Sequence, residues 1–186
     1  MTKYILHGGN TTIKNDLNRQ FFAEIVKDLP EGATVLLVYF ARKEEEYERL
    51  RDQDIGNFTE HSGRNDLVFD VSEKESFIDQ VKKAGAVYIR GGEPIQLIET
   101  LKKYPDFTEI IKTKKVVAGS SAGAYALSMY ANSSTKKKTL RGLGIIPVRT
   151  FAHFDGDQSI IDELNKYPND LELILLRDYE YTIIMQ

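Results

Sequence analysis

The 186-residue sequence contains no cysteine. That absence excludes a disulfide scaffold, a thiolate metal centre and a cysteine nucleophile. The sequence also lacks any run of roughly 18 apolar residues, the least that a membrane-crossing helix needs. The apolar stretch after Met1 is too short for the centre of a signal peptide. These gaps predict a cytoplasmic protein without a membrane partner. Charge of one sign is scarce too: the net charge is −3, so no broad basic field is available to hold nucleic acid, and none is expected as a partner. No repeat or linker divides the chain, and the one biased tract is Lys136-Lys137-Lys138. What is present suits a folded domain: 41% of residues are hydrophobic, which rules out general disorder, and the length fits one domain over 1–186.

Short apolar runs alternate with amphipathic stretches. Tyr4-Ile5-Leu6 closes at Gly8-Gly9, and the spacing of Leu17, Phe21, Ile25 and Leu29 predicts a helix capped at Asn10 or Thr11. Further strands are expected at Ala33 to Phe40, Leu67 to Val71, Ala86 to Ile89 and Val116 to Ala118, with helices marked by Phe77, Ile78 and Val81 and by Leu97, Ile98 and Leu101. Glu44-Glu45-Glu46 reads as the acidic start of a helix. Strict strand–helix alternation is the pattern of a parallel sheet covered on both faces. The expected fold is α/β: a doubly wound, mostly parallel sheet flanked by helices, flavodoxin-like in plan. After Ser133 the rhythm changes to a polar loop, extended chain from Gly142 to Phe154, a helix near Ile160 to Leu164, and extra C-terminal strands, read as a closing pair, at Leu171 to Leu176 and Tyr181 to Met185.

The segment Val116 to Ala124 carries G-x-S-x-G at Gly119, Ser121 and Gly123, between an apolar strand and a helical pattern. A sharp strand-to-helix turn tolerates no bulk beside the serine, and it aims the hydroxyl at free backbone amides. The bland reading is a glycine-rich turn without chemistry, or one that cradles a phosphate. A serine nucleophile needs a base, and there are three histidines. His61 sits in the polar stretch Glu60 to Gly63 and reads as a surface loop residue. His7 ends the first strand, where it could meet a substrate or simply brace the turn. His153, between Ala152 and Phe154, is the best base. Gly91-Gly92 lets the backbone come close to a ligand, so its amide and that of Ala122 could together hold an oxyanion. The plain alternative for that pair is a strand-to-helix turn with Pro94 at the first helical position. The lysine tract reads first as a solvated loop and second as an electrostatic lip over the site.

Gly91-Gly92, Leu97, Leu101, the strand into Ser121-Ala122-Gly123 and the downstream His153-Phe154 together resemble the serine peptidases of family S51, which contains the aspartyl dipeptidases (peptidase E) and the cyanophycinases. The likeness spans Gly8-Gly9 to Leu176-Arg177-Asp178. It implies a class I glutamine amidotransferase-like fold, Ser121 as nucleophile, His153 as base, the Gly92 and Ala122 amides as oxyanion hole, and no metal or organic cofactor. It also implies an acidic partner lying between the serine and the histidine, yet Ala122 to Ala152 contains no Asp or Glu. The candidates for that role, or for substrate contact, are Glu93, Asp155 and Asp157, with Asn132 able to orient a ring but not to stabilise its charge. Glu93 stands where the family usually has asparagine, and a carboxylate there would repel an acidic substrate.

The expected activity is that of a serine-type hydrolase of small peptides, dipeptidase-like, or of an isopeptide, through an acyl-enzyme. A small peptide is the expected partner and a homodimer the candidate assembly. The alternative is a catalytically impaired relative that binds a small molecule or a partner, and the missing acid argues for it. A flavodoxin-like module would hold phosphate at Gly8-Gly9-Asn10 or Gly119 to Gly123, but no G-x-G-x-x-G motif supports it. The short chain disfavours an α/β-hydrolase, and glutamine amidotransferase activity is excluded with its cysteine.

Overall fold

The computed structural model describes residues 1–133, 138–168 and 170–186. In chain order the elements are β1 (Lys3–His7), α1 (Asp16–Val26), β2 (Thr34–Val38), a 3₁₀ turn (Glu44–Glu46) leading into α2 (Tyr47–Ser62), β3 (Val68–Val71), α3 (Phe77–Lys83), β4 (Ala86–Ile89), α4 (Pro94–Leu101), α5 (Phe107–Ile111) and β5 (Val116–Ser120). Then follow α6 (Ala122–Leu127), β6 (Ser128–Ser133), β7 (Lys138–Arg141), β8 (Ile146–Ala152), α7 (Gln158–Leu164), β9 (Glu172–Leu176) and β10 (Tyr181–Met185).

The first sheet has six strands in the order β10-β1-β5-β4-β2-β3, all parallel except β10, which runs antiparallel to β1. The inner strands read as unbroken apolar runs because both faces are covered. Ile5, Val35, Leu37, Tyr88 and Ala118 face Phe21, Phe22, Ile25, Leu50 and Phe58 of α1 and α2. Their neighbours Leu6, Leu36, Val38, Ile89 and Val117 face Phe77, Val81, Leu97 and Phe107 of α3 to α5, together with α6 and β8. Alternate residues of one strand therefore belong to two cores. The second sheet has four strands in the order β7-β6-β8-β9.

Three local expectations change. The first helix is capped by Asn15, whose side chain accepts from the Asn18 amide, so neither Asn10 nor Thr11 caps it. It buries Asn18, Phe21, Phe22, Ile25 and Val26; Leu17 is 42% exposed and Leu29 lies past its end. The residues before Asn15 are diverted into a turn in which Asn10 has φ 58°. His61 lies in the last turn of α2, not in a loop; the helix continues to Ser62 and stops where Gly63 takes φ 67°. The closing strands are not a pair: β9 joins β8, whereas β10 returns to the first sheet beside β1. The polar tract after Ser133 is flanked by the antiparallel strands β6 and β7; Lys138 is exposed on β7, and Lys136 and Lys137 lie outside the described residues. Among the described residues no helix is long and apolar enough to cross a membrane.

Candidate active site

The carboxyl ends of β1, β4 and β5 lie side by side, the edge at which open α/β sheets hold ligands. Beyond β5 the chain turns so sharply that Ser121 adopts φ 51° and ψ −109° before α6 begins at Ala122. A non-glycine residue at such a φ is strained, and surrounding structure must hold it there. The Ser121 amide donates to the His7 carbonyl at 2.9 Å, and its carbonyl accepts from the Tyr125 amide at 3.0 Å. The motif glycines are required by proximity: a Cβ on Gly123 would collide with the Ile89 carbonyl oxygen, and one on Gly119 would meet the backbone of Gly123.

His153 follows β8 directly and is brought to the serine by two clamps. Its amide donates to the Gly8 carbonyl at 3.0 Å. The buried Tyr125 hydroxyl donates to the Ala152 carbonyl at 3.1 Å and accepts from the Ala152 amide at 3.2 Å, tying the helix after Ser121 to the strand before His153. His153 has φ 60°, and Gly9, at φ 121°, gives its ring room; a Cβ there would strike the ring at Cε1. The result is a direct contact: Ser121 Oγ lies 2.9 Å from His153 Nε2.

The other ring nitrogen faces Asp178. Nδ1 of His153 and Oδ1 of Asp178 are 2.5 Å apart, and Oδ2 of Asp178 accepts from the Asn10 side-chain amide at 2.7 Å. The carboxylate that meets Nδ1 is therefore downstream of the histidine, not between it and the serine. None of the four sequence candidates occupies that place. Glu93 caps α4 by accepting from the Ile95 amide at 2.9 Å. Asp157 caps α7 through the Ser159 amide, and Asp155 accepts from the Asp157 amide. Asn132 lies within β6, opposite Thr139. Asp178 reaches the site because β10 pairs antiparallel with β1, setting Tyr181 opposite His7, so the turn before β10 must sit at the carboxyl end of β1. One sequence signal was available: His7, Arg90, Ser121, His153 and Asp178 each stand within two residues of the end of an apolar strand.

His7 stands behind the site rather than in it. It is fully buried, with the Phe21 ring tilted against it at a centroid separation of 4.2 Å. Its Nδ1 accepts from the Gly9 amide at 3.0 Å, and its Nε2 donates to Asn18 Oδ1 at 2.9 Å, which fixes the neutral Nε2–H tautomer. Burial pushes its pKa down to about 4.

Ser121, His153, Gly91, Gly92, Asn10, Thr11 and Tyr125 line one cavity of about 280 Å³, shared with Arg42 and Arg90. Gly91 packs on the serine: a Cβ there would lie 3.0 Å from Ser121 Cβ. Neither the Gly92 nor the Ala122 amide donates to a described residue. Arg90 is buried and neutralised by Asp54, with Gln53 Oε1 at 2.7 Å; the Tyr39 hydroxyl donates to the same Asp54. Arg42 differs. Its Nε donates to the Gly91 carbonyl at 2.7 Å, and among the described residues no carboxylate pairs with it. Among the described residues no acidic side chain lines the cavity, and the Glu93 carboxylate accepts from the Ile95 amide at the start of α4.

A serine hydroxyl, an imidazole and a carboxylate in hydrogen-bonded series, set at the carboxyl edge of a parallel sheet, define a hydrolase site on an α/β scaffold. The model of peptidase family S51 matches residues 4–182, and the chain belongs to that family of serine peptidases. Two solved structures are similar in fold. One is a peptidase from an acI-B1 Actinobacterium, 22% identical, covering 98% of this chain and 83% of that one at a TM-score of 0.69. The other is a peptidase E candidate from Listeria monocytogenes EGD-e, 18% identical, covering 99% of this chain and 94% of that one, also at 0.69. No curated protein matches the chain.

Proposed function

We propose that the protein hydrolyses short peptides of dipeptide scale, or an isopeptide bond of similar reach, with Ser121 as nucleophile, His153 as general base and acid, and Asp178 as the acid of the triad. The observation that carries the reading is the continuous series from Ser121 Oγ through His153 to Asp178, with contacts of 2.9 and 2.5 Å. Ser121 Oγ attacks the scissile carbonyl carbon while His153 Nε2 takes its proton. Asp178 holds the ring and stabilises the imidazolium that forms. The amides of Gly92 and Ala122 receive the oxyanion. His153 then protonates the leaving amine, the C–N bond breaks, and an acyl ester remains on Ser121. Water, deprotonated by His153, attacks that ester and frees the carboxylic acid and the serine hydroxyl.

A cavity of about 280 Å³ takes a dipeptide far better than a folded chain. Arg42, at its wall and without a carboxylate partner among the described residues, favours a substrate that brings a carboxylate of its own. The catalytically impaired alternative drew its support from a missing acid, and Asp178 at Nδ1 takes that support away. For partners the proposal remains a small peptide, without nucleic acid or membrane, and with a homodimer as the assembly that sedimentation velocity would test.

The test is labelling with a fluorophosphonate, read by intact mass and peptide mapping, on wild type, Ser121→Ala and His153→Ala. A single adduct on Ser121, absent in Ser121→Ala and slowed in His153→Ala, is expected. A folded wild type that takes no adduct would overturn the proposal. On a dipeptide panel, Arg42→Ala is expected to raise KM about tenfold for substrates with a free carboxylate and far less for their amidated forms. Equal losses on both would remove Arg42 from recognition.

A further inference from the structure

We infer that Asn10 is a positioning residue for the reaction: its side-chain amide fixes which oxygen of Asp178 faces His153 and holds the carboxylate in line with the ring. This rests on the peptidase reading above.

The Asp178 side chain is 38% exposed, so burial alone does not set its rotamer and water competes for its oxygens. Among the described residues its side chain has two partners: His153 at Oδ1 and the Asn10 amide at Oδ2, 2.7 Å away. Asn10 in turn is anchored to the interior. Its carbonyl accepts from Asn18 Nδ2 at 2.9 Å and from the Ile13 amide at 3.2 Å. Asn18 is fully buried, and its Oδ1 accepts from His7 Nε2. His7 completes the circuit by accepting from the Gly9 amide, one residue before Asn10.

A hydrogen-bonded series thus runs from Ser121 through His153, Asp178 and Asn10 to the buried pair Asn18 and His7. Its exposed half is pinned to the core at Asn10. Asparagine suits this point twice: it tolerates φ 58° better than most residues, and its amide supplies a donor to the carboxylate. Asn10 is bonded to neither Ser121 nor His153 among the described contacts; its side-chain amide meets the series at Asp178.

Two variants separate the hydrogen bond from the turn. Asn10→Gly keeps the positive φ and removes the amide. Asn10→Asp keeps the shape and replaces the donor by a charge. The charged and titratable groups around His153 are Asp178 at Nδ1, neutral His7 on β1, Asp155 two residues on, and Arg42 and Arg90 across the cavity. A carboxyl group at position 10 has no donor to offer an ionised Asp178 and repels it instead.

Two readouts apply to wild type and both variants: the fluorophosphonate labelling rate against pH, and the His153 imidazole resonances by NMR, which need no catalytic turnover. Asn10→Gly is expected to label about tenfold more slowly, to lose or broaden the Nδ1–H resonance, and to melt within a few degrees of wild type. Asn10→Asp, which sets a second carboxyl group against Asp178 in place of the amide donor, is expected to label at least tenfold more slowly than wild type. An Asn10→Gly protein that labels within twofold of wild type with its Nδ1–H resonance intact would overturn the inference, as would an Asn10→Asp protein that labels within twofold of wild type. If wild type itself takes no label, the peptidase reading fails, while the NMR comparison still decides the place of Asn10.

Discussion

Two glycine pairs follow two parallel strands of the same sheet, and they serve opposite sides of the site. Gly8-Gly9, after β1, is the seat of the base and the acid. The Gly8 carbonyl receives the His153 amide, the Gly9 carbonyl receives the Tyr179 amide at 3.2 Å, and the missing Gly9 side chain makes room for the His153 ring. Gly91-Gly92, after β4, is the seat of the serine and of the proposed oxyanion amide. There the missing side chains admit Ser121 on one side and Ala41 with Arg42 on the other. Gly9 needs its glycine for conformation and space, at φ 121°, whereas Gly91 and Gly92 have no positive φ and need theirs for space alone. The same dipeptide thus means two different things, and what decides is the element packed against it.

The comparison can be broken from either side. The largest effect is expected at the acid seated by the first turn: Asp178→Asn leaves the shape but misdirects the ring tautomer, and kcat should fall by about 10⁴-fold. A steady-state assay with the fold checked by circular dichroism reads it, and a loss below tenfold would show that another group does the orienting. Next comes Gly92→Ala. Its Cβ would run into the Ala41 carbonyl and Arg42, displacing the amide proposed for the oxyanion, with a loss of about 10²–10³ in kcat. Gly9→Ala should cost about 10²-fold by moving His153, and it should also lower stability by about 1–2 kcal/mol because a Cβ is disfavoured at that φ. The two variants separate in the labelling pH profile. Gly9→Ala is expected to change it, since it acts on the base, whereas Gly92→Ala is expected to lower the rate at every pH. Identical profiles would dissolve the distinction.

The smallest effect on turnover is expected from His7, which supports the first turn through stability. Its folded pKa of about 4 lies below the ordinary value of 6.5, because burial disfavours the imidazolium. The unfolded chain therefore takes up a proton at a pH where the folded chain does not. The contribution is fully present above pH 6.5 and is lost as pH falls toward 4, amounting to about 3 kcal/mol. Urea unfolding across that window should show the fall, and His7→Gln should flatten it. An equal slope in both proteins would remove His7 as its source.

Much of this arrangement can be read along the chain. The inner strands announce themselves as apolar runs because both of their faces are buried, and G-x-S-x-G marks the turn at Ser121 because only small residues fit between β5, α6 and β4. The distinction between Gly9 and Gly92 is not legible in the same way, since each depends on a residue far along the chain, His153 for one and Ala41 for the other. Glu93 looked like a carboxylate facing the oxyanion, but the adjacent start of α4 offers its side chain the Ile95 amide, which turns it away. The helix after Ser121 is also shorter than its apolar residues suggest: Ser128 bonds back to the Ala124 carbonyl and the chain enters a second sheet. Serine and the β-sheet partners of Ser128-Met129-Tyr130 outweigh helix propensity there.

By itself the sequence determined the alternating strands and helices and the sharp turn at Ser121, and it put His153 forward as the proposed base, because each depends on spacing within one or two neighbouring elements. Only the tertiary structure put forward Asp178 as the acid of the proposed triad. It stands 25 residues beyond His153, and its place just past the end of β9 does not by itself say which side chain it meets. It reaches Nδ1 because the chain leaves the second sheet after β9 and β10 pairs with β1, a contact between strands far apart in sequence that no local periodicity encodes.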